Sequence, residues 1–180
     1  MVYEERLLDA IERSTVVQHR RETWRLTFSK QNPLRANVRG ARWNPPDVSA
    51  LYTSLTEATA RAEFKYIVEA QPIPPSDTIS VHRLRVRLER VVELSELDLR
   101  QLGIKLQDLP DTLDGQLPCR EVGGAVAFLG LEGLLVPSRR DPSGTNLVIY
   151  TDQVRPPDSS FDLVDSNEID LGTLLGRRVP

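Results

Sequence analysis

Residues 38–64 read VRGARWNPPDVSALYTSLTEATARAEF. Most of this stretch is punctuation for folding. Asn44, Pro45, Pro46 and Asp47 form a turn signal, because Pro presets its own φ while Asn and Asp bond their own backbone. SALYTS, residues 49–54, then supplies a short strand carrying Leu51 and Tyr52. Ser54 followed three residues later by Glu57 has the spacing of a capping box, which predicts a helix from Leu55 to about Ala70. Turn, strand and helix in that order make a compact unit of a mixed α+β fold.

Three residues of the stretch are not explained by punctuation. Arg42 lies between Ala41 and Trp43, where a guanidinium is costly to bury unless an anion meets it; phosphate or carboxylate is the natural partner. Tyr52 sits on the predicted strand, where it reads either as a half-buried core tyrosine or as an aromatic platform. Glu63 has Thr59, Ala60, Tyr66 and Ile67 as its helical neighbours, a largely apolar face on which a carboxylate needs a reason. Its bland alternative is a rim glutamate paired with Arg61 or Lys65. Strand, turn and helix can bring Arg42, Tyr52 and Glu63 to one cleft, and an anion clamp, an aromatic platform and a carboxylate suit a reaction on a nucleotide sugar.

Upstream, Leu7, Leu8, Ile11 and Val16 recur at roughly helical spacing and predict an N-terminal helix from Tyr3 to about Val17, assigned with its flank to residues 1–22. TWRLTF, residues 23–28, alternates as a strand, and a polar loop with Asn32, Pro33 and Asn37 follows. Downstream, Pro72, Pro74 and Pro75 end the second helix. From Thr78, TISVHRLRVRLERVVELS alternates imperfectly, as a half-buried strand with a bulge near His82 does. A short helix and a loop through Leu109 to Pro118 come next, then AVAFLGLEGLLVPS and TNLVIY as a helix leading into strands. The core is placed at residues 23–154. Residues 155–180, rich in Pro, Ser and Asp, read as a tail that either packs on the core or is mobile. With no β-α-β rhythm, the fold class is α+β, a single domain with a mostly antiparallel sheet.

Composition removes several function classes. The 180 residues carry a net charge of −3 and a pI near 5.5, without the basic surplus of a general nucleic-acid binder. Local basic patches, HRRETWR from His19 and SRR from Ser138, still suit a small anion. One cysteine and two histidines leave no thiolate-rich zinc site, and no metal is expected. Mean hydropathy is −0.33, no apolar run approaches the ~20 residues of a membrane helix, and no secretory pattern opens the chain, so a cytoplasmic protein is expected. GxSxG, GxGxxG and P-loop patterns are missing, so any nucleotide is held another way.

ARWNPP followed by ALYTS and ATARAEF, then GLLVPS followed by TNLVIY, resemble in order and spacing the RES-domain family, named for an Arg, a Glu and a Ser. The likeness runs from Thr23 to Tyr150. Where the family has two glycines before Arg-Trp-Asn, this chain has Gly40 and Ala41. By motif, Arg42 matches the family's arginine, Tyr52 the tyrosine after it, Glu63 the glutamate and Ser138 the serine. Asn146 matches the asparagine of the last strand and Arg25 an arginine of the first.

The resemblance implies an ADP-ribosyltransferase-like fold whose cleft holds NAD as substrate, with no further cofactor. It implies a toxin of a toxin–antitoxin pair that cleaves the nicotinamide–ribose bond by hydrolysis or by phosphorolysis with inorganic phosphate, or that transfers ADP-ribose to a protein acceptor. The implied partner is a cognate antitoxin with a helix-turn-helix DNA-binding part; no direct contact with nucleic acid or membrane is expected. Glu63, Arg42 and Tyr52 are then the expected catalytic set, with Arg42, Tyr52, Ser138, Asn146 and Arg25 binding substrate. The rival outside enzymology is a module that binds nucleotide or antitoxin without turnover.

Overall fold

The computed structural model describes residues 3–70, 77–112 and 114–176. Helix α1 (Glu5–Glu12) leads into β1 (Thr15–Phe28), β2 (Ala50–Ser54) and α2 (Glu57–Glu69). These are followed by β3 (Thr78–Glu93), α3 (Glu96–Gln101) and α4 (Leu117–Phe128), then β4 (Gly133–Pro137), β5 (Thr145–Tyr150), β6 (Ser160–Asp170) and α5 (Leu171–Leu174). The class is α+β, with the strands in one sheet ordered β1-β2-β5-β4-β3-β6. Every pairing is antiparallel except β3 with β4.

Strand β1 also pairs along nearly its whole length with β3, so five strands close into a ring. The ring is completed between β1 and β2 by one bridge, Trp24 with Ser54. Leu51, Leu84, Val86, Leu88, Leu135, Leu147 and Ile149 form a buried cluster from four of these strands. A second cluster gathers Trp43, Cys119, Val122, Val126, Leu134 and Val148 between α4 and the sheet, with Ile11 of α1. A third packs Phe64 and Val68 of α2 on Leu26, Phe28, Ile79 and Val81. Helix α2 is therefore anchored beside the weakly bridged seam, and the seam is where a cleft opens.

Several expectations are corrected. The first helix stops at Glu12, and Thr15, Val16 and Val17 open β1 instead, in keeping with the preference of β-branched residues for strands. The cap of α2 is Thr56, whose hydroxyl accepts from the Thr59 amide, while Ser54 is the last residue of β2. The bulge expected near His82, by contrast, is found as a register shift between Arg83 and Leu84 against β6. A further shift lies where Val17 pairs with Val91 but His19 with Leu88, setting Gln18 opposite Glu89 and Arg90 as in a bulge. The two bulged amides donate to Oε2 of buried Glu132 at 2.6 and 3.0 Å. Residues 160–170, expected as tail, are strand β6, bonded to β3 from Thr78 to Arg87. The prolines expected to end α2 lie outside the described residues.

Candidate functional site

The ARWN turn is held from three sides. Gly40 takes φ +89°, a left-handed conformation that favours glycine. Asn44 is fully buried; its amide donates to the carbonyls of Asn37 and Val48 at 3.1 and 2.7 Å. From behind, α4 presses Gly123 against the Trp43 carbonyl, where any Cβ would collide, and the Tyr150 hydroxyl donates to that same carbonyl at 3.0 Å. Tyr52 closes the arrangement: its hydroxyl donates to Asn44 Oδ1 at 2.7 Å and accepts from the Trp43 amide at 2.9 Å. Burial raises the Tyr52 pKa, so this hydroxyl remains protonated. It positions the turn, while its side chain borders the cleft.

That cleft has a volume of about 460 Å³, and its lining includes Arg25, Arg42, Tyr52, Glu63, Tyr66 and Asn146. Glu63 projects from α2. Its Oε1 accepts from Ser138 Oγ at 2.7 Å and from Asn146 Nδ2 at 2.8 Å. Asn146 is oriented in turn by the Ser54 hydroxyl, which donates to its Oδ1 at 2.7 Å, and Ser54 and Asn146 face each other across β2 and β5. Ser138 is buried; its oxygen accepts the Arg140 and Asp141 amides at 3.1 and 3.0 Å, which aims its single proton at Glu63. Both donors converge on Oε1, so Oε2 carries neither of these bonds, and the residue lines the cleft.

Arg42 meets an anion, as its setting demands, and that anion comes from the chain itself. Its Nη2 lies 3.1 Å from Asp111 Oδ1, to which Arg139 also bonds at 2.5 Å, while Arg140 bonds Oδ2 at 2.8 Å. The Arg140 guanidinium stacks on the Tyr66 ring, 3.3 Å from its centroid. Burial acts to raise the Asp111 pKa, but hydrogen bonds from Arg140 and Tyr66 and the charges of Arg140 and Arg139 outweigh it, so the pKa falls. Arg25 plays a different part. Its Nη1 donates to the Tyr52 carbonyl at 2.8 Å, bracing β1 against β2 at the seam, and burial lowers its pKa to about 10.

The structure thus brings Arg25, Arg42, Tyr52, Glu63 and Asn146 to one cleft, with Ser138 bonded to the glutamate from its edge. Sequence reasoning missed Asp111, Arg139 and Arg140 as one cluster, and Ser54 as the orienter of Asn146. The SRR run at 138–140 carried part of that signal. Cys119 is buried, and burial lifts its pKa to about 11, so it is no nucleophile. Among the described residues, no group of three His, Cys, Asp or Glu side chains is placed to hold a metal, and no helix is long and apolar enough to cross a membrane.

Comparison with known proteins adds the following. The RES domain family model matches residues 17–168. Among solved structures, the M. tuberculosis MbcT–MbcA toxin–antitoxin complex contains a chain that superposes with a TM-score of 0.79 at 22% identity, covering 96% of this chain and 97% of that one. At that identity the likeness establishes the fold. An anti-CRISPR protein aligns over 82% of this chain and 96% of its own, at 14% identity and a TM-score of only 0.38. No curated protein matches the sequence.

Proposed function

Because the chain belongs to the RES domain family, we propose that it is the toxin of a toxin–antitoxin pair and that it consumes NAD by cleaving the bond between nicotinamide and ribose. The observation that carries this reading is the Glu63 carboxylate, held on one oxygen by Ser138 and Asn146 at the wall of a cleft that Arg42 also lines.

Cleavage of the glycosidic bond develops positive charge on C1 of the ribose. A fixed carboxylate stabilises that charge more in the transition state than in the ground state, and being preorganised it avoids reorganisation at the moment of reaction. Oε2 of Glu63 faces the reacting carbon and orients the incoming water or phosphate. The ring of Tyr52 supports the nicotinamide, and Arg42 holds phosphate oxygens through charge-assisted bonds. The leaving nicotinamide departs with the bonding electron pair and needs no general acid, since its ring nitrogen is cationic in NAD and neutral once released.

A cognate antitoxin is the proposed partner. The structural neighbour of closely similar fold comes from a toxin–antitoxin complex, and a cell that makes an NAD-consuming enzyme requires its restraint.

The test is to incubate purified protein with NAD, with and without inorganic phosphate, and identify the products. Nicotinamide release with ADP-ribose indicates hydrolysis, with ADP-ribose 1″-phosphate phosphorolysis, and with a labelled protein acceptor ADP-ribosyl transfer. Intact NAD under all of these conditions would overturn the proposal.

A further inference from the structure

Three guanidiniums converge on one carboxylate beside the Glu63 cleft. Arg42, Arg139 and Arg140 all reach Asp111 within 3.1 Å, so the cluster holds two positive charges in excess. They are poorly hydrated: the side chains of Arg139, Arg42 and Arg140 are 11%, 17% and 21% exposed. Nε of Arg42 and Nε of Arg140 are buried without a hydrogen-bond partner. Two carboxylate oxygens cannot satisfy this many donors, whereas a phosphate group offers more oxygens and a second negative charge. Asp111 is the most exposed member, at 31%. Arg42 and Tyr66, against which Arg140 stacks, both line the cleft, so the cluster is continuous with it.

We propose that Arg42, Arg139 and Arg140 form a phosphate-binding site that the chain's own Asp111 occupies, so that a phosphate-bearing ligand binds by displacing this carboxylate. Asp111 keeps the arginines aligned in the free protein and lowers their apparent affinity for phosphate by competing for the same donors. A competitor bound nine-tenths of the time weakens ligand binding about tenfold. The proposal deepens the NAD reading, on which it rests for the identity of the phosphate: either the pyrophosphate of the dinucleotide or a free phosphate co-substrate.

The experiment measures calorimetric binding of inorganic phosphate and, separately, of ADP-ribose to the full chain carrying Glu63→Gln, with and without Asp111→Asn. Removing the competing charge should tighten at least one of the two ligands about tenfold. A gain for inorganic phosphate marks a co-substrate site and a gain for ADP-ribose alone a pyrophosphate site. Adding Arg139→Gln should abolish the gain. Unchanged or weaker binding of both ligands to the Asp111→Asn protein, or a gain that survives Arg139→Gln, would overturn the proposal. Asp111→Ser serves as a second variant should the asparagine protein melt early. Binding is read without turnover, so a protein that binds phosphate as described but spares NAD would defeat the functional reading and leave this one standing.

Discussion

At one end of the cleft, Glu63 is held by neutral donors that are themselves held: Ser138 by two backbone amides, Asn146 by Ser54. At the other end, Asp111 is held by three arginines and takes no part in a strand or helix. The first arrangement fixes the position of a single carboxylate without neutralising it, which is what stabilising a developing cation requires. The second concentrates charge with partners that can be exchanged, which suits capture of an anion.

Substitutions can break this contrast. The largest effects belong at the glutamate end. Ser138→Ala removes one bond to Glu63 and strands the amides of Arg140 and Asp141, so NAD cleavage should fall about 100-fold, with a loss of urea stability of about 1–3 kcal/mol. Asn146→Ala, which leaves those amides paired, should cost about tenfold in turnover with a smaller stability change. Equal stability losses with unchanged turnover in both would mean that Glu63 needs no support.

At the arginine end, Arg42→Gln should raise KM about tenfold while kcat changes little, since a clamp on phosphates binds ground and transition states alike. A fall confined to kcat would place Arg42 at the reacting carbon and erase the distinction between the two ends. Tyr52→Phe probes the boundary between them. The ring remains, so turnover should hold within a few-fold, but the Trp43 amide loses its acceptor and stability should drop by about 1–3 kcal/mol in a denaturant melt.

The smallest effect is the acid limb of stability. The folded-state pKa of Asp111 lies below its ordinary 3.8, so its contribution is complete above that value and is lost as pH falls through the depressed one. The melting temperature of Asp111→Asn should therefore decline less steeply than wild type below about pH 4, near the reference carboxylate pKa. Identical slopes would show that the arginine contacts make no net contribution to folding.

The same contrast explains what the sequence could disclose. Strand β2, helix α2 and strand β5 carry apolar periodicity or a clear turn beside them, and on them sit Tyr52, Glu63 and Asn146. Asp111 belongs to a stretch with no period, and nothing local marks one carboxylate among 26 acidic residues as the partner of arginines 28, 29 and 69 positions away. The role of Gly123 emerges only where the Trp43 backbone passes. Strand β6 is mainly polar because it lies at the edge of the sheet, and Phe161 and Ile169 supply its partial burial; such strands resemble surface tails in composition. Ser54 and Glu57 do have capping-box spacing, yet Ser54 ends β2 with its hydroxyl on Asn146, and the helix starts late enough for Thr56 to take the cap.

The central claim is that a positioned Glu63 carboxylate drives cleavage of NAD, and its most direct test is the rate of nicotinamide release by wild type and by Glu63→Gln. Glutamine retains an oxygen for Ser138 and Asn146 but lacks the charge, so the melting temperature should stay close to wild type while release falls by about three orders of magnitude or more. Release at near wild-type rate from the folded glutamine protein would contradict the account.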